Sequence, residues 1–138
     1  MKIRARVRNA QGKHEISLQT NDKVHSINIP PKSSGLGLSV NGGELSFLAL
    51  ATCYCNDIYR EAARRGINVT SVEVAVEGKI GGEGEPARNV TCNARVSAHA
   101  LESDILDLMK GTDAVVEIQN TLRIATPVTL NRIDATSV

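Results

Sequence analysis

Aromatic side chains are nearly missing from this chain: its 138 residues include Phe47, Tyr54, Tyr59 and no tryptophan. Stacking-based recognition of single-stranded nucleic acid needs several such rings spread over a basic face. A surplus of one charge is missing as well, because 16 Lys and Arg stand against 15 Asp and Glu. A net charge of +1 gives no pull toward nucleic acid or anionic lipid, so neither is expected as a partner. Long apolar runs are absent: none approaches the ~20 residues of a membrane span. The N-terminal MKIRARVRNA has no apolar stretch of the kind that drives secretion. Three cysteines are too few, and odd in number, for a secreted disulfide framework; a reducing cytosol is the expected location.

What remains is globular in composition, with 41% hydrophobic and 22% charged residues. One domain spanning 1–138 is expected. Size scaling predicts a folded surface of roughly 7,000 Å² against about 21,000 Å² for the unfolded chain, enough to build a core without staples.

Residues 2–8 alternate Ile3, Ala5 and Val7 with basic residues, the pattern of a half-buried strand. A turn at 10–12 leads to a hairpin partner from His14 to Gln19, and Val24, Ile27 and Ile29 suggest a third strand. Residues 44–65 lack Gly and Pro and predict a long helix. Asn41 and Glu44 have the spacing of a capping box, and Gly66 sits where a left-handed stop falls. A valine-rich strand at 72–76 follows. A glycine-rich tip at 78–86 then joins it to a returning strand through Val90, Cys92, Ala94 and Val96. Two short helices capped by Ser103 and Thr112 are expected next, then a last strand at Val128 and Leu130. Grouped hairpins around one long helix read as an α+β domain with antiparallel strands.

The cysteines carry the chemistry worth weighing. Cys53 and Cys55 lie about 200° apart on the helical wheel, so they can neither share a metal nor bond to each other in an intact helix. No second pair completes a metal site, and no cofactor motif is present. Cys55 aligns with Leu48, Ala51, Ile58 and Ala62, an apolar stripe that reads as core. Cys53 aligns with Ala49, Asn56, Asp57 and Arg60, at a border between apolar and polar surface. Cys92 alternates with valines and reads as core. An ordinary thiol is only about 3% thiolate at neutral pH, so reactivity at Cys53 requires a nearby cation. Arg4, Arg6 and Arg8 form one reservoir of such charge.

The stretch from Asn41-Gly42-Gly43-Glu44-Leu45 through Ala51-Thr52-Cys53 resembles the central helix of the OsmC/Ohr family, the osmotically inducible and organic hydroperoxide resistance proteins. Arg60-Glu61-Ala62-Ala63-Arg64-Arg65-Gly66-Ile67 and Asn120-Thr121-Leu122 extend the resemblance along most of the chain. It implies an α+β fold built as an intertwined homodimer with sites at the interface. It also implies a thiol peroxidase in which a first cysteine is oxidised by an organic hydroperoxide and a second closes a disulfide. On this chain the first cysteine is Cys53, with Arg8 and Glu44 as the available arginine and glutamate. The sequence departs from the family where the second cysteine belongs, which is Val116, and where a proline follows, which is Glu117. The family's glutamate aligns with Gly43, one residue before Glu44, a residue with a capping role of its own.

Two functions are therefore carried forward. One is a thiol-dependent peroxidase acting through Cys53 on a small apolar hydroperoxide, with an external thiol as reductant. The other is a dimer without redox chemistry that binds a small apolar ligand or partner in the interface cleft. Whether the chain is an enzyme is left open by the residues themselves.

Overall fold

The structure, a computed structural model, describes residues 1–10 and 13–138. Part of the turn expected at 10–12 therefore lies outside the described residues. The chain divides into two compact units, Met1–Ser46 and Phe47–Val138.

The first unit is an antiparallel meander. Strands β1 (Ile3–Ala10), β2 (Lys13–Thr20) and β3 (Lys23–Ser26) pair in that order. The register sets Val7 opposite Ile16 and Arg8 opposite Glu15. Asn21 turns the chain between β2 and β3 with φ +51°, a left-handed conformation that asparagine tolerates better than most residues. Its backbone N–H donates to the Lys2 carbonyl at 2.8 Å. Ile16 and Ile29 are buried, yet Ile3 and Val7 are 62% and 57% exposed. The strand expected at 2–8 is thus present, but every residue of β1 is exposed. Alternation defines an apolar face; only a neighbouring surface can bury it.

Helix α1 (Gly42–Arg65) begins in this unit. Its start is the capping box expected. The Asn41 side-chain oxygen accepts the Glu44 N–H at 2.9 Å, and the Glu44 carboxylate accepts the Asn41 N–H at 2.8 Å. Two of the helix's orphan donors are satisfied reciprocally. Gly66 ends the helix at φ +66°, and the Ile67 N–H bonds back to the Ala62 carbonyl at 2.9 Å.

The second unit holds the rest of α1, the hairpin β4 (Asn68–Ile80) and β5 (Ala87–His99), and helices α2 (Glu102–Val115) and α3 (Glu117–Arg123). Its core is Tyr54, Ile58 and Ala62 from successive turns of α1, with Leu108 from α2 and Val116 from the α2–α3 joint. The inner row of the hairpin, including Val72, Val74, Ala94 and Val96, packs against that cluster. Burial along β4 alternates residue by residue from Ser71 to Lys79, as a strand covered on one face must.

Five expectations are corrected here. Gly78 is inside β4 rather than in the tip; the Phe47 ring lies over it, 2.8 Å from where a Cβ would stand. The ladder shifts register there, between Glu77 and Lys79, so this glycine admits a ring and a bulge. The two short helices divide elsewhere than expected: α2 runs on through Gly111 and Thr112, and the break falls at Val116. Thr112 does not cap: its hydroxyl donates to the Leu108 carbonyl at 2.8 Å from a fully buried position. Cys92 is exposed rather than core, because the half-buried row of β5 starts only at Ala94. The strand expected at Val128 and Leu130 is not formed, and residues 126–138 are exposed.

Candidate functional site

Packing decides which face of α1 turns inward. Leu50, Tyr54, Asp57, Ile58 and Ala62 are buried, while Leu48 is 60% exposed. The stripe expected through Leu48 and Cys55 is rotated, and both Cys53 and Cys55 are half-buried. The first half of the helix is apolar nearly all round, so a wheel cannot choose its inner face; the hairpin and α2 choose it.

This rotation brings Cys53 to the seam between α1 and α3. Its thiol faces two carboxylates, Asp57 Oδ2 and Glu117 Oε2, each at 3.9 Å from Sγ. Arg60 holds both acids on the far side. One guanidinium nitrogen, Nη1, lies 2.8 Å from Asp57 Oδ1 and 3.4 Å from Glu117 Oε1. Its Nε reaches Glu61 at 3.1 Å, and Arg64 reaches the same Glu61 oxygen at 2.8 Å. Cys53, Asp57 and Arg60 share one face of α1 at helical spacing, as their order in the sequence suggested. Glu117 comes from another element 64 residues away.

The charges around the sulfur oppose one another. Burial pushes the Cys53 thiol up, and Asp57 and Glu117 add to that; the backbone N–H groups of Ile118 and Glu117 favour the thiolate and pull it down. The net direction is upward. Burial is also the main reason why Asp57 is raised, aided by repulsion from Glu117. Glu117 is lowered, first by its own backbone N–H and then by Arg60. The two carboxyls thus move apart: Asp57 holds its proton more tightly and Glu117 releases its own more readily. Cys53, Asp57 and Glu117 present ligand-type atoms within 4.8 Å of one another, but Arg60 supplies the countercharge that a cation would otherwise bring.

The other expected site residues are placed as follows. Arg8 is an exposed residue of β1, and Glu44 closes the capping box; both belong to the first unit. Val116, where the resemblance leads one to expect a second cysteine, is fully buried. The Asn120-Thr121-Leu122 motif ties α3 to the preceding turn. The Asn120 amide donates to the Ala114 carbonyl at 3.1 Å, and the Thr121 hydroxyl donates to the Glu117 carbonyl at 2.7 Å. Glu117 is the contributor that sequence reasoning passed over. Its signal was a charged residue where the resemblance implies a proline.

Among the described residues, no helix is long and apolar enough to cross a membrane. No curated protein matches the chain. Solved structures share its fold, among them the following two. An OsmC-like protein from Mycoplasma pneumoniae superposes with a TM-score of 0.61 at 14% identity, covering 89% of each chain. An OsmC-like protein of unknown function from Vibrio cholerae superposes with a TM-score of 0.58 at 14% identity, covering 88% of this chain and 93% of its own. The family model described as OsmC-like protein matches residues 35–131, from the loop before α1 to beyond α3. The chain, an α+β protein with antiparallel sheets and one long helix, belongs to the OsmC-like protein family.

Proposed function

We propose that this OsmC-like protein is a single-cysteine thiol peroxidase acting on small apolar hydroperoxides. The observation that supports it is the convergence on Cys53 Sγ of an ionised carboxylate, two backbone N–H groups and, behind the carboxylates, a guanidinium. In the reaction the sulfur attacks one peroxide oxygen. An S–O bond forms as the O–O bond breaks, and the thiol proton passes by way of Glu117 to the departing alkoxide, giving an alcohol. Cys53 is left as a sulfenic acid. With Val116 in place of a resolving cysteine, an external thiol condenses with it, releasing water and forming a mixed disulfide. A second external thiol then restores Cys53 and leaves as the reductant's own disulfide. A reducing cytosol suits this cycle and the three free thiols.

The acting form proposed is a homodimer. The support is apolar surface that the single chain leaves open: Ile3, Val7 and Val24 on the meander, and Leu48 and Tyr59 on α1. Scattered apolar residues are ordinary on a surface, but a whole strand face is not.

One observation favours the second reading, a dimer that binds a small apolar molecule without redox chemistry. Burial and two acidic neighbours raise the Cys53 thiol, and Arg60 is occupied by the acids instead of the sulfur. A competition among the chain's own thiols separates the two. Reduced protein is treated with substoichiometric cumene hydroperoxide, and oxidation at each cysteine is read by peptide mass spectrometry. The peroxidase reading expects Cys53 to oxidise ahead of the more exposed Cys92, and Cys53→Ser to abolish hydroperoxide consumption. Oxidation that follows exposure, with Cys92 first, removes that reading and leaves the binding one.

A further inference from the structure

A cavity lies in the same unit, beside Cys92 of the hairpin. It is an open cavity of about 410 Å³ whose walls are Tyr54 from α1, Cys92 and Ala94 from β5, and Leu106 and Met109 from α2. That volume falls within the usual range for small-ligand pockets, roughly 300–1,000 Å³. One wall is tethered by a hydrogen bond. Tyr54 is buried, and its hydroxyl donates to the Met109 carbonyl at 2.9 Å, so this lining ring cannot swing away without losing that bond. Burial, with Cys92 and Asp113 adding, pushes the Tyr54 hydroxyl up to about 12, and it stays a neutral donor.

The rim carries the specificity. Lys110 and Asp113 stand one turn apart on α2 and both line the cavity. They are not equivalent. Asp113 is neutralised by Arg123, whose Nη2 lies 2.7 Å from its carboxylate, while a second guanidinium nitrogen donates to the Asp113 carbonyl at 2.9 Å. Lys110 makes no ion pair among the described residues. The cavity therefore shows one uncompensated positive charge among lining residues that include Ala94, Leu106 and Met109. A ligand with an apolar body and a single negative head meets both features at once.

We propose that this cavity is a binding site for small monocarboxylic acids with an apolar tail or ring, the carboxylate on Lys110 and the body against Leu106, Met109 and Tyr54. Occupation covers the Cys92 thiol, which stands in the wall. The site is separate from the Cys53 cluster, and the proposal does not depend on peroxidase chemistry.

Cys92 itself supplies the readout. Alkylation of the intact protein by iodoacetamide is followed at each cysteine by peptide mass spectrometry, with 4-phenylbutyrate as the probe. Ligands of this size bind with Kd of about 1 mM, so roughly 10 mM probe slows Cys92 alkylation about ten-fold. Cys55 serves as the internal control and keeps its rate. Neutral 4-phenylbutanol at the same concentration protects far less. Lys110→Glu, an exposed change that leaves the fold intact by circular dichroism, removes the protection by the acid. An unchanged Cys92 rate, equal slowing at all three cysteines, or equal protection by acid and alcohol would each overturn the proposal.

Discussion

The strands β1 and β4 carry the same message in sequence and meet different fates. Both alternate apolar and polar residues. In β4 the row Val72, Val74 and Val76 is half-buried, with Val72 and Val74 against the cluster of Ile58, Leu108 and Val116; in β1 the row Ile3, Ala5 and Val7 is exposed throughout. The difference lies outside the strands. The second unit brings two helices to its hairpin, whereas the strands of the first unit leave β1 open. A three-stranded meander with one buried isoleucine, Ile16, has little to offset the entropy of ordering its chain. An uncovered apolar face of this kind is what the proposed dimer would cover.

The comparison can be broken most forcefully at the core. Ile58 is fully buried, and Ile58→Ala removes three carbons from the point where α1, α2 and the hairpin meet. Chemical denaturation should show a loss of about 2–5 kcal/mol. A much smaller loss would mean that the second unit is no better packed than the first. Val7→Asp probes the other side of the contrast. On an isolated chain an exposed substitution of this kind costs at most about 0.5 kcal/mol. If a second copy covers β1, it instead shifts the sedimenting species from dimer toward a 14.8 kDa particle. An unchanged dimer with Asp at this position would take β1 out of the interface.

Smaller effects sharpen the picture within the elements. Gly78→Ala drives a methyl into the Phe47 ring and should cost about 1–3 kcal/mol. A neutral result would show that the ring moves freely. Asn41→Ala removes one half of the capping box and should cost about 1 kcal/mol; circular dichroism melting gives the shift. The finest effect concerns the sulfur. Because burial and two acids raise the Cys53 thiol, its alkylation should reach half-maximal rate above the pH of an ordinary thiol. Glu117→Gln removes one negative charge beside Sγ, so the midpoint moves down and the rate at pH ~8 rises. Asp57→Asn moves it in the same direction. A midpoint indifferent to both changes would show that the sulfur does not sense its acidic neighbours.

The features legible in the sequence were the local ones. The box at Asn41 and Glu44, the stop at Gly66, and the alternation of β4 each depend on residues a few positions apart, where backbone geometry alone sets the contacts. The same holds for Cys53, Asp57 and Arg60, which helical spacing places together whatever surrounds them. The resemblance to the OsmC-like family rested on the same helix, and it correctly pointed to the fold.

What local pattern left open was decided by packing over distance. The inner face of α1 depended on which side the hairpin and α2 covered, since the helix offers apolar residues on most sides. Glu117 reaches Cys53 across 64 residues, and no periodicity within either segment encodes that approach. Thr112 reads as a cap by residue type, yet a buried hydroxyl with the Leu108 carbonyl in reach lets the helix continue. Short-range order follows from steric and hydrogen-bond rules acting on neighbours. A site that joins two distant elements exists only once the core between them has closed.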